Sequence, residues 1–383
     1  MKRILFMTHA GEPGGAEYKM LDLCQSTEFE SAVLLLQPGS LERRLQERGI
    51  ACSVLPMGAA AMAVRREHGL RGLLRAIPAT VSMLRALARH ARGFDMVVCF
   101  SQKSFVVSAL AKPFMRRPIC WFMNDILSRE HFNPWLMRFL VMLSRQAADF
   151  VVLNSQASRA AWLAAGGRAT RIGIVYPITR SDVIAAQNLD AGKVAIRRRE
   201  LDPDDRPLVG LFGRISPWKG QDVFLRALAK LPGVRGVIAG GALFGEEPYE
   251  KQLRALAQQL GVADRVLFTG HIGEVPVAMA ACDVVVHCST SPEPFGRVIV
   301  ESMLAGTPVI ASDAGGAREI VADGETGQLT PMHDVDALAA AIGRYLERPQ
   351  WSRQLAERAR AYAEATYSPA VISRRVHEIF AAL

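Results

Sequence analysis

The sequence predicts an α/β protein of two domains, each built on a parallel β-sheet that helices cover. Its 383 residues exceed the length at which one hydrophobic core usually stops growing. Apolar runs typical of buried strands alternate with helical patterns, which is the order of βαβ units. This alternation occurs twice, and the polar stretch 178–205 between the two series is typical of a linker. We therefore expect domains over 1–177 and 178–365, and a last helix over 366–383 that packs on the first domain.

The first series is read from short apolar runs bounded by turn residues. Helices are predicted from near Gly15, over 39–49, within 148–167 and over 64–92, where Pro78 is expected to divide the stretch into two helices. Strands are predicted at 2–8, 31–37, 50–56, 94–101, 117–125, the start of 148–167, and 172–177.

The second series repeats the pattern after the polar stretch, which itself is expected to hold a short helix. Its strands are predicted at 207–213, 236–241, 265–270 and 283–289. Its helices are predicted within 214–231, over 247–261 and 275–282, from near Gly296, over 334–346 and over 368–383.

Residues 64–92 are basic and amphipathic. The stretch holds seven arginines and one acid, Glu67, with leucines interleaved at helical spacing. Such a helix suits the interface of an anionic bilayer, and a solvated helix face is the alternative. Residues 1–177 hold 23 Lys and Arg against 12 Asp and Glu, and residues 178–383 hold 23 against 25, so the basic excess belongs to the first half. The residues of this hypothesis are Arg65, Arg66, Arg71, Arg75, Arg85, Arg89, Arg92, Leu70, Leu73, Leu74, Ile77, Val81, Leu84 and Leu87, and further on Lys112, Arg116, Arg117, Trp121, Phe122, Phe132 and Trp135.

Several classes of protein are disfavoured by composition. No apolar run of 18 or more residues escapes interruption by Arg, Lys or Pro, which argues against a transmembrane helix and a signal peptide. The six cysteines form no C-x-x-C pair, so neither a zinc site nor a disulfide framework is expected, and the reducing cytoplasm suits them. The two Asp-x-Asp sequences, at 202–204 and 334–336, stand in the predicted linker and at a helix start, and neither is read as a metal site.

The stretch from Pro292 to Gly316 carries two carboxylates, Glu293 and Glu301, eight positions apart. Glu293 is expected in a loop and Glu301 inside the helix that begins near Gly296, so the two acids cannot share a proton as a close dyad. They can hold two parts of one long ligand. The backbone N–H groups of Phe295, Gly296 and Arg297 would lie between them at a helix N-terminus, which favours an anion.

Cations and polar side chains follow other predicted strands. Arg214 and Lys219 lie in the loop after 207–213, where two fixed cations would hold a diphosphate without a metal. Asn124 and Asp125 end another strand, where either a substrate contact or a helix N-cap is expected. Gly14 and Gly15 allow close backbone approach after the first strand, although a plain strand-to-helix turn fits as well.

These motifs together resemble glycosyltransferase family 4, whose members are retaining enzymes of the GT-B fold. The resemblance rests on GR-x4-KG at 213–220, EPFGRVIVE at 293–301 with the LAGTPVIASDAGG that follows it, and DGETG at 323–327. It covers nearly all of residues 207–345 and is weaker in the first half. It implies two Rossmann-like βαβ domains facing an interdomain cleft, with the linker near residue 178 as a hinge.

The resemblance also implies roles for individual residues. Arg214 and Lys219 would bind the donor diphosphate, Glu301 the nucleotide ribose and Glu293 the donor sugar. Lys219→Ala is accordingly expected to abolish transfer with little effect on folding. Family members often have a His-Asp pair where this chain has Asn124-Asp125, which leaves the role of Asn124 open and puts more weight on Asp125 as an acceptor-side residue. The other implied contacts are the backbone of Phe295 and Gly296 for the sugar, Gly240 and Gly241 for the nucleotide, Ile272 for the base, and Gly15 for the phosphate or sugar.

The function implied is transfer of a sugar, with retention, from a nucleotide-diphosphate sugar to a hydroxyl of a saccharide or lipid-linked acceptor. A UDP-sugar is the expected donor and no cofactor is expected. No carboxylate is placed as a covalent nucleophile, which favours same-face attack assisted by the leaving phosphate oxygen. The protein would act in the cytoplasm or on the inner face of the membrane, in cell-surface polysaccharide or glycolipid synthesis. The alternatives are a nucleotide-sugar epimerase, against which the two glutamates argue, and a membrane-bound nucleotide-sugar sensor; no nucleic-acid-binding module is recognised.

Overall fold

The described part of the chain divides into two compact units. The first comprises Met1–Ile178 together with Ile372–Leu383, and the second comprises Thr179–Val371. The predicted short helix between 178 and 205 falls almost wholly outside the described residues. The computed structural model describes residues 1–56, 70–179, 201, 206–242 and 245–383, with 70–79 described by their backbone only.

Within the described residues, thirteen strands, all paired in parallel, form one sheet in each unit. The apolar residues of the inner strands are buried on both faces, as expected where helices cover both sides of a parallel sheet. The strands are β1 (Arg3–Thr8), β2 (Glu30–Leu35), β3 (Ala51–Val54), β4 (Met96–Cys99), β5 (Ile119–Met123), β6 (Phe150–Leu153), β7 (Ile172–Ile174), β8 (Leu208–Phe212), β9 (Arg235–Ala239), β10 (Val266–Gly270), β11 (Val284–His287), β12 (Val309–Ser312) and β13 (Gln328–Thr330).

Helices follow most strands, and short 3₁₀ turns cover Pro217–Lys219 and Ala263–Arg265. The helices are α1 (Gly15–Cys24), α2 (Ser40–Glu47), α3 (Leu70–Ala91), α4 (Gln102–Met115), α5 (Pro134–Ala147), α6 (Gln156–Ala164), α7 (Gln221–Ala229), α8 (Glu247–Gln259), α9 (Val275–Ala280), α10 (Arg297–Leu304), α11 (Ala317–Ile320), α12 (Val335–Glu347), α13 (Pro349–Tyr367) and α14 (Pro369–Ala381).

The first sheet has the strand order β3-β2-β1-β4-β5-β6-β7. Successive strands are added on one side of β1 up to β3 and on its other side from β4 onward, so the strand order reverses between β1 and β4. From Ile372 onward α14 belongs to this unit. Phe380 lies edge-on to Phe29 with ring centroids 5.5 Å apart, and its carbonyl accepts a hydrogen bond of 2.7 Å from Lys2 Nζ. The last helix therefore packs on the core of the first unit, where the sequence analysis had expected it.

Helix α3 corrects the prediction that Pro78 divides residues 64–92 into two helices. The backbone is one helix of 22 residues through that position. A proline removes a single N–H donor from the helical ladder, and a long helix anchored by packing can absorb that loss. Leu84 and Leu87 are buried in the core, whereas Arg85 and Arg89 are exposed. Arg65, Arg66 and Glu67 lie outside the described residues.

Helices α4, α5 and α13 were not assigned from the sequence. Of the residues from 112 to 135 in the membrane hypothesis, Lys112 lies on α4, whereas Trp121 and Phe122 lie in the predicted strand 117–125, which is β5. Lys112 Nζ pairs with Asp149 Oδ2 at 2.6 Å, and Trp121 and Phe122 are buried in β5. These three residues are thus not available to a membrane surface, which corrects that part of the hypothesis.

The second sheet has the order β10-β9-β8-β11-β12-β13 and reverses direction between β8 and β11. The start of β8 is fixed by Asp283, whose Oδ2 accepts a hydrogen bond of 2.7 Å from the backbone N–H of Leu208. In open α/β sheets the crevice at such a reversal, beyond the carboxyl ends of the strands, is where ligands bind. The loops after β8 and β11 therefore hold the candidate site of this unit.

Candidate functional site

An ion pair joins the loops that follow β8 and β11. Lys219 Nζ lies 2.7 Å from Glu293 Oε1, and their side chains are only 15% and 7% exposed. Burial alone would raise the pKa of Glu293, but the charges and hydrogen bonds of Lys219 and His287 outweigh it and hold that pKa well below its usual range. Glu293 is therefore an ionised carboxylate at neutral pH.

His287 and Ser289 also converge on Glu293, and the sequence analysis named neither. His287 Nε2 lies 2.9 Å from Glu293 Oε1, and the hydroxyl of Ser289 donates to the same oxygen. Both side chains are buried at the end of β11 and just after it. A histidine that ends an otherwise apolar strand, VVVH, was the signal that could have found this cluster.

The loop after β8 is fixed against the loop after β11. Gly220 has φ of +71°, and a Cβ built on it would lie 2.0 Å from the carbonyl oxygen of Cys288, so only glycine fits there. The backbone N–H of Thr290 donates to the carbonyl of Trp218 at 2.9 Å. This backbone contact brings Lys219 to Glu293.

The Ala-Gly-Gly sequence after β12 holds the other side of the Glu293 loop. Gly316 donates its backbone N–H to the carbonyl of Glu293 at 2.9 Å. A Cβ on Gly315, whose φ is +58°, would lie 2.4 Å from that carbonyl oxygen, and one on Gly316 would lie 2.4 Å from the Cα of Phe295. The glycines of DAGG thus permit close backbone packing that fixes the loop carrying Glu293.

Arg214, the second predicted cation, shares an aromatic neighbour with Lys219. The guanidinium carbon of Arg214 lies 5.5 Å from the centre of the Trp218 ring, and Lys219 Nζ lies 4.4 Å from it. Both cations are half-buried in the loop after β8. The structure therefore brings the two predicted cations around one indole ring, within a single loop.

Glu301 has a partner different from that of Glu293. Helix α10 begins at Arg297, directly after Gly296, which has φ of +108°, so the predicted start is confirmed. Arg297 Nη2 lies 3.2 Å from Glu301 Oε1 one turn along the helix. The two glutamates thus occupy different environments, one in the buried cluster and one half-exposed on the helix, while Phe295 is buried beneath the turn.

Gly240 and Gly241, predicted together as nucleotide contacts, differ in structure. Gly240 has φ of +141°, and a Cβ on it would lie 2.0 Å from the carbonyl oxygen of Gly213. Its N–H donates to the carbonyl of Gly270 at 2.8 Å. A Cβ on Gly241 meets no atom within 4 Å. Backbone packing therefore requires glycine at position 240, whereas Gly241 faces open space. Ile272, the predicted base contact, is half-buried and packs against the hydrophobic core of the second unit.

In the first unit, Asn124 and Asp125 follow β5. Asn124 Nδ2 donates to the carbonyl of Phe100 at 2.9 Å. The exposed Asp125 accepts a hydrogen bond of 2.8 Å from Gln102 Nε2 through Oδ2. Neither residue caps a helix, because α5 is capped by Asn133, so the alternative role is excluded.

Gly15 is the first residue of α1 in the same unit. The turn before it is fixed by the buried Glu17, which accepts hydrogen bonds of 2.8 Å from Thr8 Oγ1 and 3.1 Å from the Gly14 N–H. A Cβ on Gly15 meets no atom within 4 Å. The turn therefore leaves open space beside Gly15 at the helix start, after β1, where the strand order of the first sheet reverses.

Comparisons with known proteins agree with these features. Residues 18–177 match the family model of the glycosyl transferase 4-like domain, and residues 193–364 match that of glycosyl transferases group 1. HepE of Anabaena, crystallised in complex with UDP, is 34% identical to this chain, with each chain covered over 100% of its length and a TM-score of 0.89. The chain belongs to glycosyltransferase family 4. Its two parallel α/β sheets form the GT-B fold, so the predicted family and fold class are confirmed.

Other relatives match over a smaller part of the chain. The D-inositol 3-phosphate glycosyltransferase of Mycolicibacterium smegmatis is 38% identical over 200 residues, 51% of this chain. That of Mycobacterium marinum is 40% identical over 202 residues, 52% of this chain. The chain spans less than half the length of these relatives, 45% and 42% respectively. HepE was also crystallised in complex with UDP-glucose, and that structure matches with a TM-score of 0.90 at 34% identity over 100% of both chains.

Two further observations concern the part of the chain that the structure describes. No helix there combines the length and apolar character that crossing a membrane requires, and no group of three metal-ligating side chains is found there. Asp334 caps α12 by accepting a hydrogen bond of 2.8 Å from the Ala337 N–H. Asp336 pairs with Lys230 at 2.7 Å. The other Asp-x-Asp sequence lies outside the described residues.

Proposed function

We propose that this family 4 protein transfers a sugar from a UDP-sugar to a hydroxyl group of a saccharide or lipid-linked acceptor, with retention at the anomeric carbon. The observation that carries the proposal is the buried Lys219–Glu293 pair at the β8/β11 reversal. The similarity to HepE, crystallised in complex with UDP and with UDP-glucose, supports a UDP-sugar as donor.

The diphosphate would bind to Arg214 and Lys219. A diphosphate leaving group gains negative charge as the glycosidic bond breaks, so fixed cations stabilise the transition state more than the bound donor. A lysine ammonium has three N–H donors. One donor of Lys219 is directed to Glu293. Lys219 can therefore contact Glu293 and a phosphate oxygen at once.

Glu293 would accept hydrogen bonds from hydroxyl groups of the donor sugar. Three donors already converge on its Oε1, and a carboxylate with a depressed pKa is a weak base and a weak nucleophile. This supports same-face attack, in which the leaving phosphate oxygen takes the acceptor proton, over a covalent intermediate on Glu293.

The remaining contacts are proposed from the resemblance. Glu301 would bind the ribose, and the backbone N–H groups at 295–297 would bind an anionic or sugar oxygen near the start of α10. In the first unit the exposed Asp125 would contact the acceptor or sugar, while Asn124, whose amide group donates to Phe100 O, would shape the turn. The other proposed contacts are Gly15 for the phosphate or sugar, Gly240 and Gly241 for the nucleotide, and Ile272 for the base.

We expect UDP and UDP-glucose to raise the melting temperature of the protein more than the adenine or guanine counterparts do. A ligand at 100 times its Kd stabilises the folded state by about 2.7 kcal/mol. The measurement is a thermal-shift series at matched ligand concentrations, followed by incubation with UDP-glucose and candidate acceptors and separation of the products.

The outcome separates this proposal from its alternatives. Transfer of glucose to an acceptor, with an α-linked product, supports the proposal. Conversion of the nucleotide sugar without an acceptor would instead indicate an epimerase. Binding without any turnover would indicate a sensor, and the absence of a shift with every uracil nucleotide would contradict a UDP-sugar donor.

We also propose that the first unit docks on an anionic bilayer. An open groove of about 1070 Å³ runs between α3 and the end of α4, and it is lined by Arg85, Arg89, Arg92 and Arg116 together with Phe114. The α4 helix packs against both α3 and α5. Exposed guanidinium groups beside exposed apolar side chains suit anionic headgroups above acyl chains. The large apolar side chains exposed on α4 and α5 are Leu110, Phe114, Trp135, Leu136, Phe139 and Met142.

The protein is expected to co-sediment with vesicles that contain anionic phospholipid and to dissociate as salt is raised, because screening weakens attraction between exposed charges. Arg85→Glu with Arg89→Glu should weaken this binding by roughly 1 kcal/mol or more per residue. Arg159→Glu with Arg168→Glu makes the same change in net charge at exposed arginines of α6 and its following loop, which do not line the groove. Equal loss in both pairs, or no sedimentation of the wild type at low salt, would contradict docking through the groove.

A further inference from the structure

Glu293 presents its two carboxylate oxygens to different surroundings. Oε1 accepts hydrogen bonds from Lys219 Nζ at 2.7 Å, from His287 Nε2 at 2.9 Å and from the Ser289 hydroxyl. Among the described residues, no donor reaches Oε2. The carboxylate is thus anchored through one oxygen, and the other is left to accept a hydrogen bond from a ligand.

The three residues that donate to Oε1, namely Lys219, His287 and Ser289, differ in their other roles. Lys219 is the one that also serves the diphosphate in the proposed function, so its ammonium is shared when a donor binds. His287 and Ser289 are 5% and 1% exposed and lie on β11 and directly after it. Their backbone is fixed in turn, because Ser312 Oγ on the neighbouring strand β12 donates to the carbonyl of Ser289 at 2.9 Å.

We infer that His287 and Ser289 are positioning residues that hold Glu293 with Oε2 toward the donor sugar while Lys219 divides its ammonium between Glu293 and the diphosphate. This inference rests on the proposed sugar-transfer function. With a proton on Nε2, the His287 ring donates to Glu293 Oε1. Its Nδ1 is buried without a hydrogen-bond partner among the described residues. A buried polar atom without a hydrogen bond lowers the stability of the folded state, so a purely structural role does not explain a histidine here. A role in orienting the carboxylate does explain it.

The inference predicts a specific pattern among variants of His287. Leucine fills similar space without a donor, whereas the side-chain amide nitrogen of glutamine can reach the place of Nε2. His287→Leu should reduce kcat/KM for UDP-glucose by roughly 10²-fold, as expected when a ligand contact is misplaced by about 1 Å. His287→Gln should restore most of that loss, and Ser289→Ala should give a smaller loss of the same kind.

The control is Ser302→Ala on α10. Ser302 is also a fully buried serine, and its hydroxyl donates to the carbonyl of Thr307 at 3.1 Å without contacting Glu293. It should cost stability much as Ser289→Ala does and leave the kinetics unchanged. This comparison separates loss of the anchor from loss of a buried hydrogen bond.

A second readout does not depend on turnover. Calorimetry with UDP and with UDP-glucose gives the ratio of their two dissociation constants for each variant. In His287→Leu this ratio should shift roughly tenfold toward UDP, because the sugar contact is lost and the nucleotide contacts remain. His287→Gln should keep the wild-type ratio.

The two possible failures can be told apart. A wild type that binds neither UDP nor UDP-glucose and transfers no sugar would contradict the proposed function. A wild type that binds both, with a ratio and a kcat/KM unchanged in His287→Leu, would overturn the positioning role alone. Equal loss in His287→Leu and His287→Gln, matched by an equal loss in Ser302→Ala, would also overturn it.

Discussion

Replacement of Lys219 by methionine is expected to abolish sugar transfer and also to destabilise the protein by about 3–5 kcal/mol. The loss of activity follows from the loss of a cation at the departing diphosphate. The loss of stability follows from the structure, because Glu293 is 6% exposed and would remain as a buried carboxylate without its ammonium partner. The motif alone predicts little effect of Lys219→Ala on folding, and the buried pair changes that expectation.

Glu293→Gln combined with Lys219→Met tests the origin of both losses. Removing the carboxylate's charge relieves the penalty of an unpaired buried ion, so the double variant should be more stable than Lys219→Met alone. Its transfer activity should stay as low as that of the single variant, because the cation at the diphosphate is still missing. Unfolding midpoints and kcat/KM measured on all four proteins of this double-mutant cycle supply the test.

Lys230→Met is the matched control for Lys219→Met. Lys230 Nζ pairs with Asp336 Oδ1 at the same distance of 2.7 Å, but the two side chains are 51% and 81% exposed. An exposed pair of this kind contributes about 0–1 kcal/mol, so Lys230→Met should affect neither stability nor transfer appreciably. If Lys219→Met retained full transfer activity, its proposed role at the diphosphate would be wrong.

Local patterns were sufficient to predict most of the sheets. Runs such as RILFMT and PLVGLFG are apolar almost throughout, which is the pattern of a strand buried on both faces, and they became β1 and β8. The start of α10 was equally readable, because Pro-Phe-Gly precedes a helical run. The sequence was less informative where tertiary packing determines the secondary structure. Pro78 lies within a continuous helix, because the later turns of that helix are held in the core by Leu84 and Leu87.

The candidate site was predicted residue by residue but not as a cluster. The positions of Lys219 and Glu293 were identified from motifs, yet their contact joins residues 74 positions apart and depends on which strands are neighbours in the sheet. His287 was missed for the same reason. The polar residue that ends the apolar run VVVH could have drawn attention to this position, but its role comes from the carboxylate that the next loop brings within 2.9 Å.

Replacement of Gly240 or Gly241 by alanine should distinguish an effect on folding from an effect on ligand binding. The two residues are adjacent, but we expect the first substitution to lower stability and the second to leave it unchanged. Gly240→Ala places a methyl group 2.0 Å from the Gly213 carbonyl oxygen at a φ of +141°. Backbone occupies the space, so no side chain can move aside, and we expect a loss of about 3 kcal/mol or more, seen as a much lower melting temperature or failure to fold. Gly241→Ala meets no atom within 4 Å and should keep its stability within about 0.5 kcal/mol of the wild type.

The same pair tests the proposed nucleotide contact. If Gly241 lies against bound nucleotide, Gly241→Ala should weaken UDP binding while its melting temperature without ligand stays at the wild-type value. Calorimetric titration with UDP and a thermal melt of each variant provide the comparison. Wild-type affinity in Gly241→Ala would remove that residue from the nucleotide contacts, and a Gly240→Ala protein as stable as the wild type would contradict the close approach of the Gly240 and Gly213 backbones. The Gly240 N–H also donates a hydrogen bond to the carbonyl of Gly270. Displacement of the backbone at Gly240 should therefore also disturb the edge strand β10.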